Sequence, residues 1–464
     1  MPMPAAVPTR HELPPGPSLP GAAQTLRWVV RPTAFMEECR RRYGDCFTLR
    51  IASEGRWVLV SDPESIRRVF TGNPEHLRAG EANAILRPVV GSESVLLLDG
   101  PSHLRQRKLL LPPFHGERMQ RYGDLMREVT EREVATWPAG EPFAVWPRMQ
   151  AITLEVIIRA VFGVDDPDRV ERVAGRIRPM LEFTSGSKLD FFVAALIGPD
   201  RLAGARWTGF PQAIGRVHEA IDEEIALRRA EPGLEERDDI LSMLLQARDE
   251  DGAPMTDQEL RDELMTLLVA GHETTATSLA WTLERVVRHP DVLARLEGEA
   301  GSDDDTYDDT YADAVAHEAL RLRPVLPLVV RKLTEPLELH DRELPVGTTV
   351  APCIYLAHRR PDVYPDPLAF RPERFLETPA GTYTWIPFGG GVRRCIGASF
   401  ALFEMRTVLN TLVARLHLEA AEPAAERISR RAITLSPSRA ARLVVRPRAA
   451  AGRRGAAALA AAPG

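Results

Sequence analysis

Cysteine is scarce in this chain. Four occur in 464 residues, at Cys39, Cys46, Cys353 and Cys395. So few, so far apart, make no disulfide framework, and no C-x-x-C spacing points to zinc or an iron–sulfur cluster. A reducing cytoplasm is the simplest compartment. Strong charge of either sign is also missing. A net charge of −6 leaves no nucleic-acid footprint. The N-terminus has no basic start followed by an apolar core, so no secretory signal is visible. No apolar run serves as a membrane anchor: the most apolar long stretch, Met265 to Leu283, contains His272, Glu273 and several threonines. No G-x-G-x-x-G segment and no internal repeat is present.

What is there reads as one globular unit. Apolar residues at 44% and charged residues at 27% are ordinary for a water-exposed globular chain. Residues 1–24 include the Pro-rich run Leu13 to Pro20, an extended lead-in expected to be poorly ordered. Residues 448–464 are an Ala/Gly/Arg-rich tail without a core pattern, expected to be disordered. Residues 25–447 form the single domain between them. Phe47–Ile51 and Trp57–Ser61 alternate as two strands around Gly55, and Asp62-Pro63-Glu64-Ser65 opens a helix. Helical patterns dominate from Gly116 to about Arg288, and strand-like runs return at Leu326–Leu333, Thr348–Ile354 and Ala432–Val445. The fold class is mainly α with minor β, an α+β layout. The acidic run Asp303–Asp309 is expected to be a solvated loop.

The most informative segment is Phe388-Gly389-Gly390-Gly391-Val392-Arg393-Arg394-Cys395-Ile396-Gly397. It places one cysteine in a glycine-rich loop that runs into a helix, because Leu402, Met405, Leu409, Leu412 and Val413 follow at helical spacing. Free N–H groups at a helix start favour a thiolate. Three glycines allow close backbone approach to a large flat group. A thiolate presented this way can ligate a metal.

A second segment lies inside a long helix. Thr256 and Glu259 form a capping box and Pro290 ends the run, about 33 residues later. Its middle reads Ala270-Gly271-His272-Glu273-Thr274-Thr275. This is either a polar notch that bends the helix or a working acid and hydroxyl inside an apolar wall. Two further pairs are weaker alone. Glu318 and Arg321 share a helix face, as any surface pair does. His103 and Arg107 do the same, as on any basic surface helix.

Taken together and in this order, these segments resemble the cytochrome P-450 family of haem-thiolate monooxygenases. The loop matches F-G-G-G-x-R-x-C-x-G at every fixed position. The family's fold is triangular and mostly helical, with haem between the long central helix and the helix after the cysteine. The resemblance implies haem b (iron protoporphyrin IX) with Cys395 as axial ligand, in a loop that includes Phe388, Gly389 and Gly397. It implies that Thr274 hydrogen-bonds dioxygen and that Glu273 belongs to the proton-delivery relay. Glu318 and Arg321 would lock to Arg374 of Pro372-Glu373-Arg374-Phe375 beneath the haem. His103, Arg107, Arg331 and Arg393 would bind the two haem propionates. The histidine at 103, where many microsomal relatives have tryptophan, points to the soluble bacterial branch.

By the same resemblance, segments 82–98, 268–270, 325–330 and 433–435 line an aliphatic distal pocket. The substrate is then a hydrophobic small molecule: a fatty acid, terpenoid, steroid or secondary metabolite, in lipid or secondary metabolism. Electrons come from a separate ferredoxin or flavoprotein, docking near Arg105, Lys108 and Arg394. A monomer is expected. The alternatives are a haem-thiolate peroxygenase or isomerase on the same fold, or a non-catalytic haem sensor.

Overall fold

A computed structural model describes residues 13–114, 118–184, 209–300 and 311–448. The acidic run at 303–309 and the tail from 449 lie outside these residues.

The lead-in differs from the expectation over 13–24. The Pro14 and Pro15 carbonyls accept from Thr48, at 2.6 Å from Oγ1 and 3.0 Å from N. Proline lacks an N–H but keeps its carbonyl, so the extended run docks beside a strand through its oxygens. Gly16 permits this approach, because a Cβ there would lie 1.9 Å from Thr48 O. A helix already begins at Gly21 and runs to Val30.

The predicted hairpin forms as strands Cys46–Ile51 and Gly55–Val60, with Phe47 opposite Leu59. Asp62 caps the next helix, Pro63–Thr71, by accepting from Ser65 N at 2.8 Å. The hairpin continues through Thr349–Pro352 and Arg331–Leu333 to Leu77–Arg78, making a five-stranded sheet. Of the strand-like run at 326–333 only the last part is a strand. The expected strand at 432–445 splits: Thr434–Pro437 forms a hairpin with Ile428–Arg431, while Arg442–Pro447 joins a different sheet.

Helices build the rest. The long helix runs from Asp257 to Val286, 30 residues, and its capping box at Thr256 and Glu259 is present. At 1.5 Å per residue it is about 45 Å long and crosses the main core. It packs against the helix Trp146–Phe162 and against Ala398–Arg415, the helix that follows the cysteine loop. Gly271 gives Trp146–Phe162 room: a Cβ there would meet Ile157 Cδ1 at 3.0 Å. The largest apolar core lies around these helices, and two smaller cores lie on either side of the sheet. Among the described residues no helix is long and apolar enough to cross a membrane.

Candidate functional site

Cys395 sits in the loop between a 3-10 turn at Gly391–Arg393 and the helix Ala398–Arg415. Its backbone N–H donates to Phe388 O at 3.0 Å, which closes the loop. Its surface is accessible, yet desolvation by the surrounding protein is the largest influence on its thiol. The two observations agree only if the group lines a recess inside the molecule. Ala270 is likewise exposed, although it lies in the middle of the long buried helix.

The thiol differs from the helix-start expectation. Burial raises its pKa, while the Gly397 backbone N–H, Arg107 and Arg394 pull it down less strongly. Desolvation outweighs the helix end, so the thiolate needs a further positive partner.

The glycines divide the work in an unforeseen way. A Cβ on Gly390 would lie 2.2 Å from the Phe70 ring, and one on Gly391 would lie 2.0 Å from Phe70 O. Gly389 and Gly391 hold φ of +66° and +65°, which L side chains rarely adopt. Gly390 and Gly391 therefore fit the loop against the helix Pro63–Thr71. Gly397 has no protein atom within 4 Å of its Cβ position, so that side of the loop is open to a bound group.

Three arginines and a neutral histidine meet beside the loop. Arg393, Arg107 and Arg331 act together on His103: its burial and then their charges push its pKa down to about 3. Burial and neighbouring cations also push Arg331 and Arg393 down to about 10. Asp99 is the carboxylate paired with Arg393, at 2.5 Å. Arg393 also donates to Val95 O at 3.1 Å and to Leu98 O, bonds to the pocket-side segment that the sequence did not announce. Three arginines, one buried and two half-buried, with a buried neutral imidazole and one acid fit a ligand that carries two carboxylates.

The mid-helix acid is held from two other elements. Gln150 Nε2 donates to Glu273 Oε2 at 2.9 Å, and Arg431 Nε lies 3.9 Å from Oε1. Burial raises the Glu273 pKa against the pull of Arg431 and Gln150. Thr274 Oγ1 donates to Ala270 O at 2.5 Å, a back-bond to the carbonyl one turn earlier. Neither Gln150 nor Arg431 carried a sequence signal, because each becomes a neighbour only through the fold.

The Glu–Arg–Arg cluster assembles in full. Arg321 Nε and Nη2 donate to Glu318 at 2.6 and 2.8 Å, and Arg374 Nε donates to Glu318 Oε1 at 3.1 Å. Glu318 and Arg321 are fully buried. Arg321 also binds the carbonyls of His358, Pro367 and Ala369.

Among the described residues no three His, Cys, Asp or Glu side chains cluster to hold a metal. Sequence comparison decides the family: the Cytochrome P450 family model matches residues 14–443. The chain belongs to the cytochrome P450 family.

It is 43% identical over 436 residues to cytochrome P450 135B1 of Mycobacterium bovis, covering 94% of this chain and 91% of the relative. It is 38% identical to cytochrome P450 137 of Mycobacterium tuberculosis, covering 92% and 88%. These relatives' names state the family and no substrate. The fold is similar to a retinoic acid-bound cyanobacterial CYP120A1, with a TM-score of 0.81 at 23% identity over 95% of this chain and all of that one. It is also similar to a cytochrome P450DA mutant heme domain, at 0.79 and 25% over 94% and 99%. The mainly helical P450 fold is thus confirmed, and this P450 is a haem-thiolate monooxygenase.

Arg105 is bonded to Asp249 at 2.6 Å and to Glu259 at 2.7 Å, and Lys108 to Glu250 at 2.6 Å. Arg394 is exposed. Of the expected pocket segments, Leu268 and Leu435 are core residues, whereas Leu96, Leu97, Leu98 and Val329 are half-buried.

Proposed function

We propose that Cys395 is the axial ligand and that this monooxygenase inserts one oxygen atom of dioxygen into a hydrophobic small molecule. The observation that carries the reading is Cys395 itself, on a recess wall beside Arg107 and a cation cluster. Cys353 is also buried, but its Sγ faces Met36 Sδ at 3.6 Å and Pro327 O at 3.7 Å within one of the smaller cores. Burial pushes that thiol up to about 12. It packs as an inert core side chain.

His103, Arg107, Arg331 and Arg393 would hold the haem carboxylates, and Gly397 would leave space for the ring. Bound haem supplies dioxygen activation, favoured by the electron density that a thiolate donates. The protein's own groups handle the proton. Burial raises the Glu273 pKa, which favours its protonated form, and Gln150 fixes its orientation. Thr274, adjacent on the helix, gives its own proton to Ala270 O and so keeps lone pairs free to accept another. This pair also favours dioxygen chemistry over a peroxygenase or isomerase.

The half-buried residues Leu96, Leu97, Leu98 and Val329 are aliphatic, which suits a fatty acid, terpenoid, steroid or other hydrophobic metabolite. Electrons come from a ferredoxin or flavoprotein in the same reducing cytoplasm, with Arg394 as a docking contact. A spin-shift titration of the ferric protein with such lipids, a retinoid included, tests the substrate class. Turnover of a bound compound with donor and oxygen supports the reading. Turnover with hydrogen peroxide alone, and none with the donor, contradicts it.

A further inference from the structure

We propose that His358 is a positioning residue for the cysteine loop, fixing the backbone that carries Cys395 by joining it to the Glu318–Arg321–Arg374 cluster. The inference rests on the assignment of Cys395 as ligand. His358 follows the short helix Ile354–Ala357 and is fully buried.

Both ring nitrogens have backbone partners. Nδ1 lies 3.2 Å from Arg321 O, and Nε2 lies 2.8 Å from Ile386 N. A carbonyl only accepts, so Nδ1 must carry the proton. An amide N–H only donates, so Nε2 must be bare. One neutral tautomer satisfies both, and the imidazolium satisfies only one. Burial, with Arg321 and Arg359 nearby, keeps the ring neutral by holding its pKa well below the ordinary histidine range. His358 O in turn accepts from Arg321 Nη1 at 2.8 Å, so residue 358 is tied to Arg321 twice.

The bonds continue to the ligand. Ile386 O accepts from Gly389 N at 3.0 Å, and Phe388 O accepts from Cys395 N at 3.0 Å. A continuous path therefore runs from the Glu318 carboxylate through Arg321, the His358 ring and Ile386 to the backbone of Cys395. Hydrogen bonds in such chains polarise one another. A parallel strut supports the same segment. Tyr364 OH donates to Thr384 O at 3.0 Å, and its ring lies 5.0 Å from the Arg321 guanidinium. The buried cluster thus has a defined mechanical route to the loop. Without the imidazole, Ile386 N and Arg321 O are left unpaired in the core, and the loop gains freedom to let the thiolate take up a proton from water.

The test uses the full-length haem-loaded protein and the reduced carbon monoxide spectrum, which separates thiolate-ligated from thiol-ligated haem. His358→Leu, which loses two buried hydrogen bonds, should pass from the thiolate band to the thiol band at least about tenfold faster than wild type. His358→Gln, which can still accept and donate, should recover most of that loss. Ile240→Ala, a core truncation in the helix Ile240–Gln246, controls for lowered stability. If His358→Leu converts no faster than Ile240→Ala at a matched thermal midpoint, the proposal is overturned. Should His358→Leu fail to fold, nitrogen NMR of histidine-labelled wild type in the ferrous carbon monoxide state decides. It should show Nδ1–H with a bare Nε2; an Nε2–H tautomer or a charged ring overturns the proposal. Retention of the thiolate band in Cys395→Ser would instead sink the ligand assignment. Loss of that band in Cys395→Ser, with wild-type behaviour in His358→Leu, would sink the positioning role alone.

Discussion

The backbone N–H of Val95 donates to Glu263 Oε1 across 2.7 Å, joining the pocket-side segment 91–99 to the long helix. Asp262 accepts from Glu93 N at 2.9 Å and Ser94 bonds Thr266 at 2.7 Å, so three helix residues clasp this one segment. Arg393 grips its other end at Val95 O, Leu98 O and Asp99. The segment that presents Leu96, Leu97 and Leu98 is therefore held between the long helix and the cysteine loop.

Glu263→Leu should destabilise the protein by about 1–3 kcal/mol, because it strands the Val95 N–H in a buried place. Glu263→Gln keeps an acceptor for Val95 and should cost less. Thermal unfolding gives the order, and hydrogen exchange at 91–99 should rise in the leucine variant. Equal protection in both variants would show that the clasp does not hold the segment.

Thr274→Ala should uncouple oxygen consumption from product and release peroxide. Glu273→Gln should lower product formation by roughly a hundredfold to ten-thousandfold, the usual weight of a positioned acid. Gln150→Leu, which removes only the orienting bond, should fall between Glu273→Gln and wild type. Unchanged coupling in Thr274→Ala would remove the hydroxyl from the relay.

Glu318→Ala leaves Arg321 and Arg374 as buried charges without their carboxylate. The expected cost is about 3–5 kcal/mol, read as loss of folded protein and of bound haem. A change below about 1 kcal/mol, ordinary for an exposed pair, would mean that the cluster is not the lock it resembles.

Acid should weaken the fold through His272. Burial lowers its pKa from 6.5 to about 3, and its Nδ1 lies 2.9 Å from Thr153 Oγ1. A histidine depressed in the folded state contributes stability that is present above its unfolded pKa and lost as pH falls below it. Between pH 6.5 and 5 this one group should remove about 2 kcal/mol. In His272→Gln that loss should be smaller by the same amount, measured by denaturant unfolding at the two pH values. An identical slope in both proteins would mean that His272 titrates normally.

Much of this was legible because its signals are local. The capping box at Thr256 and Glu259, the cap at Asp62 and the pair Glu318–Arg321 each lie within one helical turn. Fixed spacing therefore fixes their geometry. Arg374, His103 and Arg331 needed the family pattern, since no local rule brings them together. What stayed hidden depends on contacts between distant segments. Gln150 and Arg431 reach Glu273, His358 reaches Ile386, and Phe70 fills the space left by Gly390 and Gly391. The direction of the Cys395 shift was misread for a related reason. A helix start is visible in sequence, but the depth at which it is buried is not.

Cys395, and no other cysteine, is proposed to ligate the iron. The reduced carbon monoxide spectrum of two serine variants tests it most directly. Cys395→Ser should lose the thiolate band, while Cys353→Ser, altered only where it packs against Met36 and Pro327, should keep it. The opposite pattern, with the band surviving in Cys395→Ser and vanishing in Cys353→Ser, would place the ligand at Cys353 instead.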